Sequence, residues 1–299
     1  MPQTRRSFGR SLAALAALSA GAGQTDASAP VAETALVTEE ETSLASLIRQ
    51  AALANPFPDF SGKAAVEGTL ARLQGLAIDP NAPGRFILAN IPAAEVIAYQ
   101  DGREVLRSRA IVGAPRTRTP RLASIVPSVR LNPPWYVPAS IEPSVNLASG
   151  LFRRVNGTLV QRPGPRNPLG PIRIGLEESQ AVYLHGAIDP RLFAREHRTL
   201  SHGCIRVDRI LELAAWVLDM QPEDLSALVA TGRTRELVPP EEVRVALAYL
   251  TVWPGHDGRL VQYPDPYGLD RLPNKGVSPR IPPRPLPTEP AIIAIPEPA

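Results

Sequence analysis

Three extended segments near the middle of the chain decide the fold class: Arg85-Phe-Ile-Leu-Ala-Asn-Ile91, Glu95-Val-Ile-Ala-Tyr-Gln100 and Glu104-Val-Leu-Arg-Ser-Arg-Ala-Ile-Val112. Each is rich in the aliphatic and β-branched residues typical of strands. Asp101-Gly102 stands between the second and the third segment. This dipeptide is typical of a type I′ hairpin turn, because both of its residues need a positive φ angle. The pattern predicts an antiparallel hairpin within a mainly β domain.

The segments around this hairpin fit the same class. Residues 113–175 are rich in Pro, Gly and Arg, which predicts short strands joined by long surface loops of the kind that often carry function. Residues 241–252 return to strand character. Asp208 is the predicted N-cap of a helix. Apolar residues recur with helical spacing in four segments, which predicts helices over 44–54, 64–76, 208–219 and 222–231.

The composition excludes several classes of protein. The 299 residues include 34 prolines, about 11% against a usual share of about 5%, which a long helical bundle would not tolerate. Basic residues number 32 and acidic residues 29, and this balance argues against a nucleic-acid partner. No apolar stretch reaches the roughly 18 residues of a membrane span, so a multi-span membrane protein is excluded. The single cysteine allows no intrachain disulfide and no multi-cysteine metal site.

The first 29 residues have the organisation of an export signal. A basic start, Thr4-Arg-Arg-Ser-Phe-Gly-Arg10, precedes a short apolar run, Leu12 to Ala20, and the segment ends in Ala27-Ser-Ala29. This order is typical of a cleaved signal peptide. The paired arginines resemble the twin-arginine export signal of bacteria, which predicts a periplasmic protein. A single membrane anchor is the alternative, although the apolar run is short for one.

The exported part of the chain divides into three regions. Residues 30–63 form a leader or spacer, acidic at Glu39-Glu-Glu41 and predicted to begin as a disordered segment. Residues 64–272 form the folded domain with its flanking helices. Residues 273–299 contain nine prolines, which predicts an extended, disordered tail. With the signal removed, no integral membrane span is expected.

The chemistry concentrates in residues 183–206, which hold three of the four histidines and the only cysteine. The core of this region reads Tyr183-Leu-His-Gly186 and then Ser201-His-Gly-Cys-Ile-Arg206. Outside the cytoplasm the environment is oxidising. A lone cysteine that persists there is either buried and inert or used as a nucleophile.

The neighbours of Cys204 favour the nucleophile. Only a thiolate attacks, and a nearby imidazole can take the thiol proton and hold the thiolate as an ion pair. Gly203 lets the backbone come close to a substrate carbonyl. Backbone amides in such a turn can stabilise the oxyanion of a tetrahedral intermediate.

A zinc site is the alternative for the same residues. His185, His202 and Cys204 could supply three ligands, with a catalytic water in the fourth position. The spacing His202-x-Cys204 is shorter than that of the usual zinc motifs, and no fourth ligand stands out. The prediction is therefore a site without a metal.

These residues resemble the signature of the L,D-transpeptidase (YkuD-type) family. Ser201-His-Gly-Cys-Ile-Arg206 carries the resemblance, together with His185 nineteen positions before the cysteine. The flanking motifs are similar to the larger Gram-negative branch of that family: Asn90-Ile-Pro-Ala93, Ile111-Val-Gly113, Thr119-Pro120, Asn132-Pro-Pro-Trp-Tyr-Val-Pro138 and Pro163-Gly-Pro-Arg-Asn-Pro-Leu-Gly170. The resemblance covers residues 64–272.

The resemblance implies a fold and a set of roles. The fold is a YkuD-like β-sandwich with a few peripheral helices and the active site at a sheet edge. Cys204 is the implied nucleophile and His185 the general base. Arg206 has two open roles, which are to hold a substrate carboxylate or to brace the loop. The other implied site residues are Gly186, whose carbonyl orients the imidazole, then His202, Gly203 and Tyr183 on the oxyanion side, and Ser201 and Trp135 as further substrate contacts.

The implied reaction is acyl transfer in peptidoglycan biosynthesis, a process that maintains the cell wall and cell shape. A thioester forms on Cys204 from a diaminopimelate-containing tetrapeptide stem, and a second stem then forms a 3→3 cross-link. No cofactor is implied. Other acceptors are open: the lysine of a wall-anchored lipoprotein, a free D-amino acid or water. A catalytically silent wall-binding protein is the remaining alternative.

Two departures from the larger members of the branch stand out. Only Ser140 to Arg162 fills the place of their capping insertion, which predicts a reduced cap. Residues 30–84 are too short for their peptidoglycan-binding domain. Several arginines in the expected groove region either attract stem carboxylates or only aid solubility: Arg153, Arg154, Arg162 and Arg166.

Overall fold

The computed structural model describes residues 44–54, 60–76, 79–177, 182–257 and 259–270. These residues fall within one unit, Thr38–Ala299. The predicted export signal, the leader before residue 44 and the proline-rich tail from residue 273 lie outside the described residues. None of the described helices combines the length and the apolar character that crossing a membrane requires.

Strands dominate the described part of the chain, and four helices accompany them. The helices are α1 Leu44–Ala54, α2 Phe60–Leu76, α3 Ile210–Leu218 and α4 Pro222–Ala230. The strands are β1 Arg85–Asn90, β2 Glu95–Gln100, β3 Arg103–Gly113, β4 Leu122–Ile125, β5 Val129–Leu131, β6 Trp135–Tyr136, β7 Phe152–Val155, β8 Thr158–Gln161, β9 Ile172–Ile174, β10 Leu184–His185, β11 Thr199–Ser201, β12 Ile205–Val207, β13 Arg235–Leu237, β14 Val243–Ala248, β15 Val252–Pro254 and β16 Leu260–Gln262.

One mixed sheet of eleven strands forms the body of the domain. Its order is β13-β5-β9-β10-β12-β3-β2-β1-β14-β4, with β11 also paired to β3. The long strand β3 belongs to both halves of the sheet. Residues 103–109 of β3 pair with β2, whereas Ala110 and Ile111 pair with β12. The sheet therefore changes partners along β3, and its two halves can curl around a common core.

The core has two parts, separated by the sheet itself. Strand β1 shows the division: Ile87 and Ala89 face the larger cluster, while Phe86 and Leu88 face the smaller one. This alternation is the period of two that a strand imposes on its side chains. The larger cluster contains residues from both halves of the sheet and from α3, among them Val96, Leu184, Ile205, Leu213 and Val245. The smaller cluster packs α1 and α2 on the other face, through Ile48 and Leu73.

The prediction of a mainly β domain with a few peripheral helices is thus confirmed. The expected sandwich takes the form of one curled sheet whose halves share a core. The hairpin prediction is also confirmed. Asp101 and Gly102 both have positive φ angles, 49° and 77°, between the antiparallel strands β2 and β3.

The predicted N-cap of α3 is wrong. The cap position is Arg209, which makes no side-chain capping hydrogen bond. Asp208 instead forms an ion pair with Arg109 at 3.1 Å. The backbone N–H of Arg209 donates to the hydroxyl of Ser108 at 3.0 Å. A neighbouring strand therefore supplies both contacts, and the local sequence signal at Asp208 is overridden.

A second, small sheet occupies the region of the expected cap. Strands β6, β8 and β7 form it, in that order. The segment from residue 140 to residue 162 contributes two of its strands and two 3-10 turns, Glu142–Ser144 and Leu147–Ser149. The ring of Trp135 packs edge-on against Phe152, with 6.2 Å between ring centroids.

Candidate active site

Two short parallel strands bring the predicted catalytic residues together. Strand β10 ends in His185, and the β10–β12 register places His185 opposite Arg206 and Leu184 opposite Ile205. Cys204 directly precedes β12, where the N–H of Ile205 donates to the Tyr183 carbonyl at 2.9 Å. Leu184 and Ile205 are fully buried in the core. Because strand side chains alternate between faces, His185 and Arg206 lie on the opposite face, and Cys204 stands at its edge.

The imidazole of His185 is held neutral by its surroundings. The residue is 4% exposed. Burial, followed by the charge of Arg206, lowers the pKa of His185 from 6.5 to about 4. Hydrogen bonds to the backbone of Gly186 and Leu169 oppose this lowering of the pKa, and the charge of Arg173 adds to it. At neutral pH the imidazole of His185 is therefore uncharged, and its unprotonated ring nitrogen can accept a proton.

The thiol of Cys204 is neutral as well. Cys204 is partly exposed as a residue, yet burial of its sulfur raises the pKa of the thiol. A hydrogen bond with the Tyr183 backbone lowers that pKa, as do the charges of Arg206 and Arg173, but burial outweighs them. The ion pair expected from the sequence is therefore not the resting state. Burial penalises the charged forms of both partners, so proton transfer has to accompany attack.

The two nitrogens of the His185 ring differ in their surroundings. Nδ1 is buried and has no hydrogen-bond partner among the described residues. The backbone of Gly186, whose carbonyl was expected to orient the ring, hydrogen-bonds the imidazole together with the backbone of Leu169. Among the described residues, no hydrogen bond competes with an incoming proton at Nδ1.

The turn before Cys204 is locked by Ser201. The Ser201 hydroxyl accepts from the N–H of Gly203 at 3.1 Å and donates to the carbonyl of Cys204 at 2.5 Å. Ser201 is 2% exposed, and Gly203 has a φ angle of +118°, which favours glycine. Ser201 was expected to contact substrate, and in the structure its hydroxyl forms both of these hydrogen bonds inside the turn. The amide of Gly203, expected on the oxyanion side, is also engaged by Ser201.

Gly113, Thr119 and Tyr267 form a hydrogen-bond network that holds the same turn. The Thr119 hydroxyl donates to the Gly203 carbonyl at 2.9 Å and accepts from the Gly113 N–H at 2.8 Å. The Tyr267 hydroxyl donates to the Gly113 carbonyl at 2.7 Å and accepts from the Thr119 N–H at 3.1 Å. Sequence reasoning did not single out Tyr267, which lies far from Cys204 along the chain and belongs to no recognisable motif.

Asn167 holds the loop that passes over His185. Its side-chain amide donates to the carbonyls of Pro133 and Arg162 at 3.0 and 3.1 Å, and its oxygen accepts from the N–H of Leu169 at 3.0 Å. Asn167 is 1% exposed. At Gly170 an added Cβ would lie 3.0 Å from the backbone of Gly186. The loop is therefore fitted closely against the strand end that carries His185.

The remaining predicted residues occupy different positions. His202 is exposed and Tyr183 is half-buried. The Arg173 guanidinium stacks over the Tyr183 ring at 4.3 Å. Trp135 lies in the small sheet, where it packs on Phe152. Of the four arginines expected near the groove, Arg154 pairs with Glu142, Arg162 and Arg166 are exposed, and Arg153 is half-buried.

The zinc alternative finds no ligand group in the part of the chain that the structure describes. There, no three His, Cys, Asp or Glu side chains lie close enough together to hold a metal ion. His185 is buried, whereas His202 points to solvent.

Comparisons with known proteins agree with the family that the site suggests. A protein of Haemophilus influenzae named "Putative L,D-transpeptidase" is 28% identical over 218 residues, which are 62% of this chain and 44% of that protein. The chain thus spans less than half the length of this curated relative.

Two solved structures are similar at lower identity. An L,D-transpeptidase from Mycobacterium smegmatis is 18% identical with a TM-score of 0.33, and the match covers 55% of this chain and 58% of that one. The catalytic domain of an E. faecium L,D-transpeptidase acylated by ertapenem is 13% identical with a TM-score of 0.31, over 55% of this chain and 97% of that one. The family model of YkuD, the L,D-transpeptidase catalytic domain, matches residues 84–239. Because this match covers more than half of the chain, the protein belongs to the YkuD family of L,D-transpeptidases.

Proposed function

We propose that this protein is an exported L,D-transpeptidase that acts on peptidoglycan tetrapeptide stems through a thioester on Cys204. One observation carries the proposal. The only cysteine of the chain stands at the head of β12, on the same side of the sheet as a buried, neutral histidine at the end of the adjacent strand β10. A neutral thiol and a neutral base on one face of a sheet are competent for nucleophilic acyl transfer when the base can reach the thiol proton.

In the first step, the sulfur of Cys204 attacks the carbonyl carbon at the L-centre of diaminopimelate in the donor stem. Nδ1 of His185 takes the thiol proton as the carbon–sulfur bond forms. The imidazolium then gives this proton to the nitrogen of the terminal D-alanine as the carbon–nitrogen bond breaks. D-alanine leaves as a free amine, and the stem remains as a thioester on Cys204.

In the second step, the side-chain amine of a second diaminopimelate attacks the thioester. His185 takes a proton from the attacking nitrogen, the carbon–sulfur bond breaks, and the thiol is restored. The product is a 3→3 cross-link between two stems. Because His185 has a pKa of about 4, it releases its proton readily in both steps and returns to its neutral form.

The acyl acceptor is the less constrained part of the proposal. A lysine of a wall-anchored lipoprotein, a free D-amino acid or water could enter the same second step, and a silent wall-binding protein would perform neither step. The twin-arginine-like start, Thr4 to Arg10, supports a periplasmic location. Separation of periplasm from cytoplasm in cells that express the full chain tests that location.

The first experiment is intact-mass measurement after incubation with ertapenem, in parallel for the wild type and Cys204→Ala. A one-to-one adduct that requires Cys204 supports an activated thiol. Absence of the adduct in an alkylatable wild type contradicts the nucleophile. Incubation with purified stems then identifies the acceptor by product mass. A Cys204→Ala protein that cross-links stems at the wild-type rate would overturn the proposal.

A further inference from the structure

A row of titratable side chains, four charged and one the neutral His185, crosses five strands at the site. The strand registers place Glu236 opposite Arg130, Arg130 opposite Arg173, Arg173 opposite His185, and His185 opposite Arg206. Directly opposed residues share one face of a sheet. His185 therefore stands between two arginines. Like charges placed side by side usually destabilise a sheet, so this row is retained at a cost to stability.

The outermost arginine of the row, Arg206, has no acceptor within the described protein. Its Nε atom is buried and has no hydrogen-bond partner among the described residues. Burial lowers the pKa of Arg206, and only the negative charge that Cys204 would carry as a thiolate opposes this lowering. By contrast, Arg107 is bound by Glu95 and Glu104, and Arg130 by Glu236. The half-buried guanidinium of Arg206 is thus desolvated without the carboxylate that its counterparts possess.

This observation bears on the two roles that the sequence left open for Arg206. A residue that braces a loop needs hydrogen bonds to that loop, and the described structure gives Arg206 none. An unpaired, partly buried cation is costly. Such a residue is expected where a ligand brings the missing anion, since an arginine fork binds a carboxylate through two parallel hydrogen bonds.

The position of Arg206 fits an anion on the acyl donor. Cys204 and Arg206 are two residues apart in extended chain, about 7 Å, and side chains at this spacing point the same way. In a tetrapeptide stem, the carboxylate of the terminal D-alanine lies three bonds from the carbonyl that Cys204 attacks. The side-chain carboxylate of diaminopimelate is the second source of the same chemistry.

We propose that Arg206 binds a carboxylate of the acyl donor and so orients the scissile carbonyl toward Cys204. This inference rests on the proposed function. Arg173, on the other side of His185, adds positive charge to the same face and favours approach of an anionic donor. Arg206 is thereby a specificity-determining residue that selects donors with a carboxylate near the scissile bond.

The test combines donor analogues with variants. The donors are the unmodified tetrapeptide, the same peptide amidated at its C-terminus, and the same peptide amidated on the diaminopimelate side chain. The proteins are the wild type, Arg206→Gln, Arg206→Lys and the control Arg259→Gln, which removes an exposed arginine paired with Asp257 outside the expected groove region. The readout is kcat/KM for release of the terminal residue. Alkylation by iodoacetamide, which carries no charge, reports the reactivity of the thiol separately.

For the unmodified donor, Arg206→Gln is expected to lower kcat/KM by about 10- to 100-fold, the range of a lost charged hydrogen bond. Amidation of the carboxylate that Arg206 binds lowers kcat/KM of the wild type by a similar factor. The same amidation lowers kcat/KM of Arg206→Gln only slightly, because that variant has already lost the interaction. Whichever amidation, at the C-terminus or on the diaminopimelate side chain, affects the wild type but not Arg206→Gln identifies the carboxylate that Arg206 binds. Arg206→Lys recovers part of the loss, because it keeps the charge without the fork. The control Arg259→Gln stays near the wild type. Alkylation by iodoacetamide slows moderately in Arg206→Gln, because the charge of Arg206 lowers the pKa of the thiol, and this loss is the same for all three donors.

Equal losses in Arg206→Gln for all three donors would overturn the inference, because Arg206 would then act on the thiol or the fold. So would a wild-type enzyme that is indifferent to both amidations. Failure of the proposed function has a different signature. The wild type would release no D-alanine from any donor while iodoacetamide still alkylates Cys204, and the inference would fall with it.

Discussion

The hydroxyl of Thr119 donates to the carbonyl of Gly203 at 2.9 Å, across 84 residues of sequence. The same hydroxyl accepts from the N–H of Gly113 at 2.8 Å. Thr119 therefore ties the turn that precedes Cys204 to the end of β3. Tyr267 holds the other side of this link through Gly113 and Thr119, although it lies outside residues 84–239 that match the family.

Replacement of Thr119 by Val should loosen this turn. The change leaves the Gly113 N–H and the Gly203 carbonyl without their partner in a buried setting, where each lost bond costs about 1–3 kcal/mol. We expect a lower free energy of unfolding in urea and a several-fold slower acylation of Cys204 by ertapenem. Thr231→Val is the matched control, because the Thr231 hydroxyl bonds an exposed helix end at Leu228. Equal behaviour of the two variants would contradict a role for Thr119 in positioning the turn.

The resting charge of Cys204 can be read from its alkylation. Burial raises the pKa of this thiol, so the rate of iodoacetamide alkylation should rise at higher pH than for free cysteine. The neutral pair also predicts that His185→Ala leaves the midpoint of this profile nearly unchanged. A reactive plateau below pH 7 that disappears in His185→Ala would instead indicate a preformed thiolate–imidazolium pair.

Burial of His185 should make the fold sensitive to acid. In the unfolded chain the pKa of histidine is about 6.5, whereas burial lowers that of His185 to about 4. Between these values the unfolded state binds the proton and the folded state does not, so stability falls as pH decreases. From pH 7 to pH 4 the loss from this residue is about 3 kcal/mol, at 1.36 kcal/mol per pKa unit.

The measurement is urea unfolding at both pH values for the wild type, His185→Gln and His197→Gln. His185→Gln should remove most of that pH-dependent loss, even if its stability at pH 7 is lower. His197 is exposed, and its replacement serves as the control. If His185→Gln and the wild type lose equal stability on acidification, His185 does not stay neutral in the folded protein.

Local signals in the sequence were sufficient for several elements. The Asp101-Gly102 hairpin was predictable because its positive φ angles are a property of those two residues. The helix at 44–54 followed from apolar spacing and matches α1. The N-cap at Asp208 was wrong because Arg109, from a strand distant in sequence, competes for the carboxylate. Local propensity carries no information about such a partner.

In the candidate site, too, some features could be predicted from the sequence and others depend on the fold. Cys204 and His185 could be named from the resemblance, but their charge states depend on burial and on Arg206 and Arg173. Folding creates that burial, and it brings Arg173 near Cys204 and both arginines near His185. Ser201 was expected to contact substrate because it belongs to the motif that carries the resemblance. Its bonds within the turn depend on the geometry of Gly203, which residue types do not specify.

Asn167 gives the last prediction, because it positions His185 without lying in the chemical path. Its side chain links Pro133, Arg162 and Leu169, and the Leu169 backbone hydrogen-bonds the imidazole. Asn167→Ala removes three hydrogen bonds, two of them buried, and frees the loop to shift. We expect ertapenem acylation to slow by about 10-fold or more, as misplacement of a catalytic group by about 1 Å can cost about 100-fold.

Iodoacetamide separates this effect from a general loss of structure. Its reaction needs the thiolate but not an oriented base, so alkylation of folded Asn167→Ala should proceed at the wild-type rate. Asn146→Ala is the control, because Asn146 also closes a loop turn, with Ala148, but in the exposed cap region. Parallel slowing of acylation and alkylation would show that Asn167 maintains the fold around Cys204, whereas slowing of acylation alone would place its effect on His185.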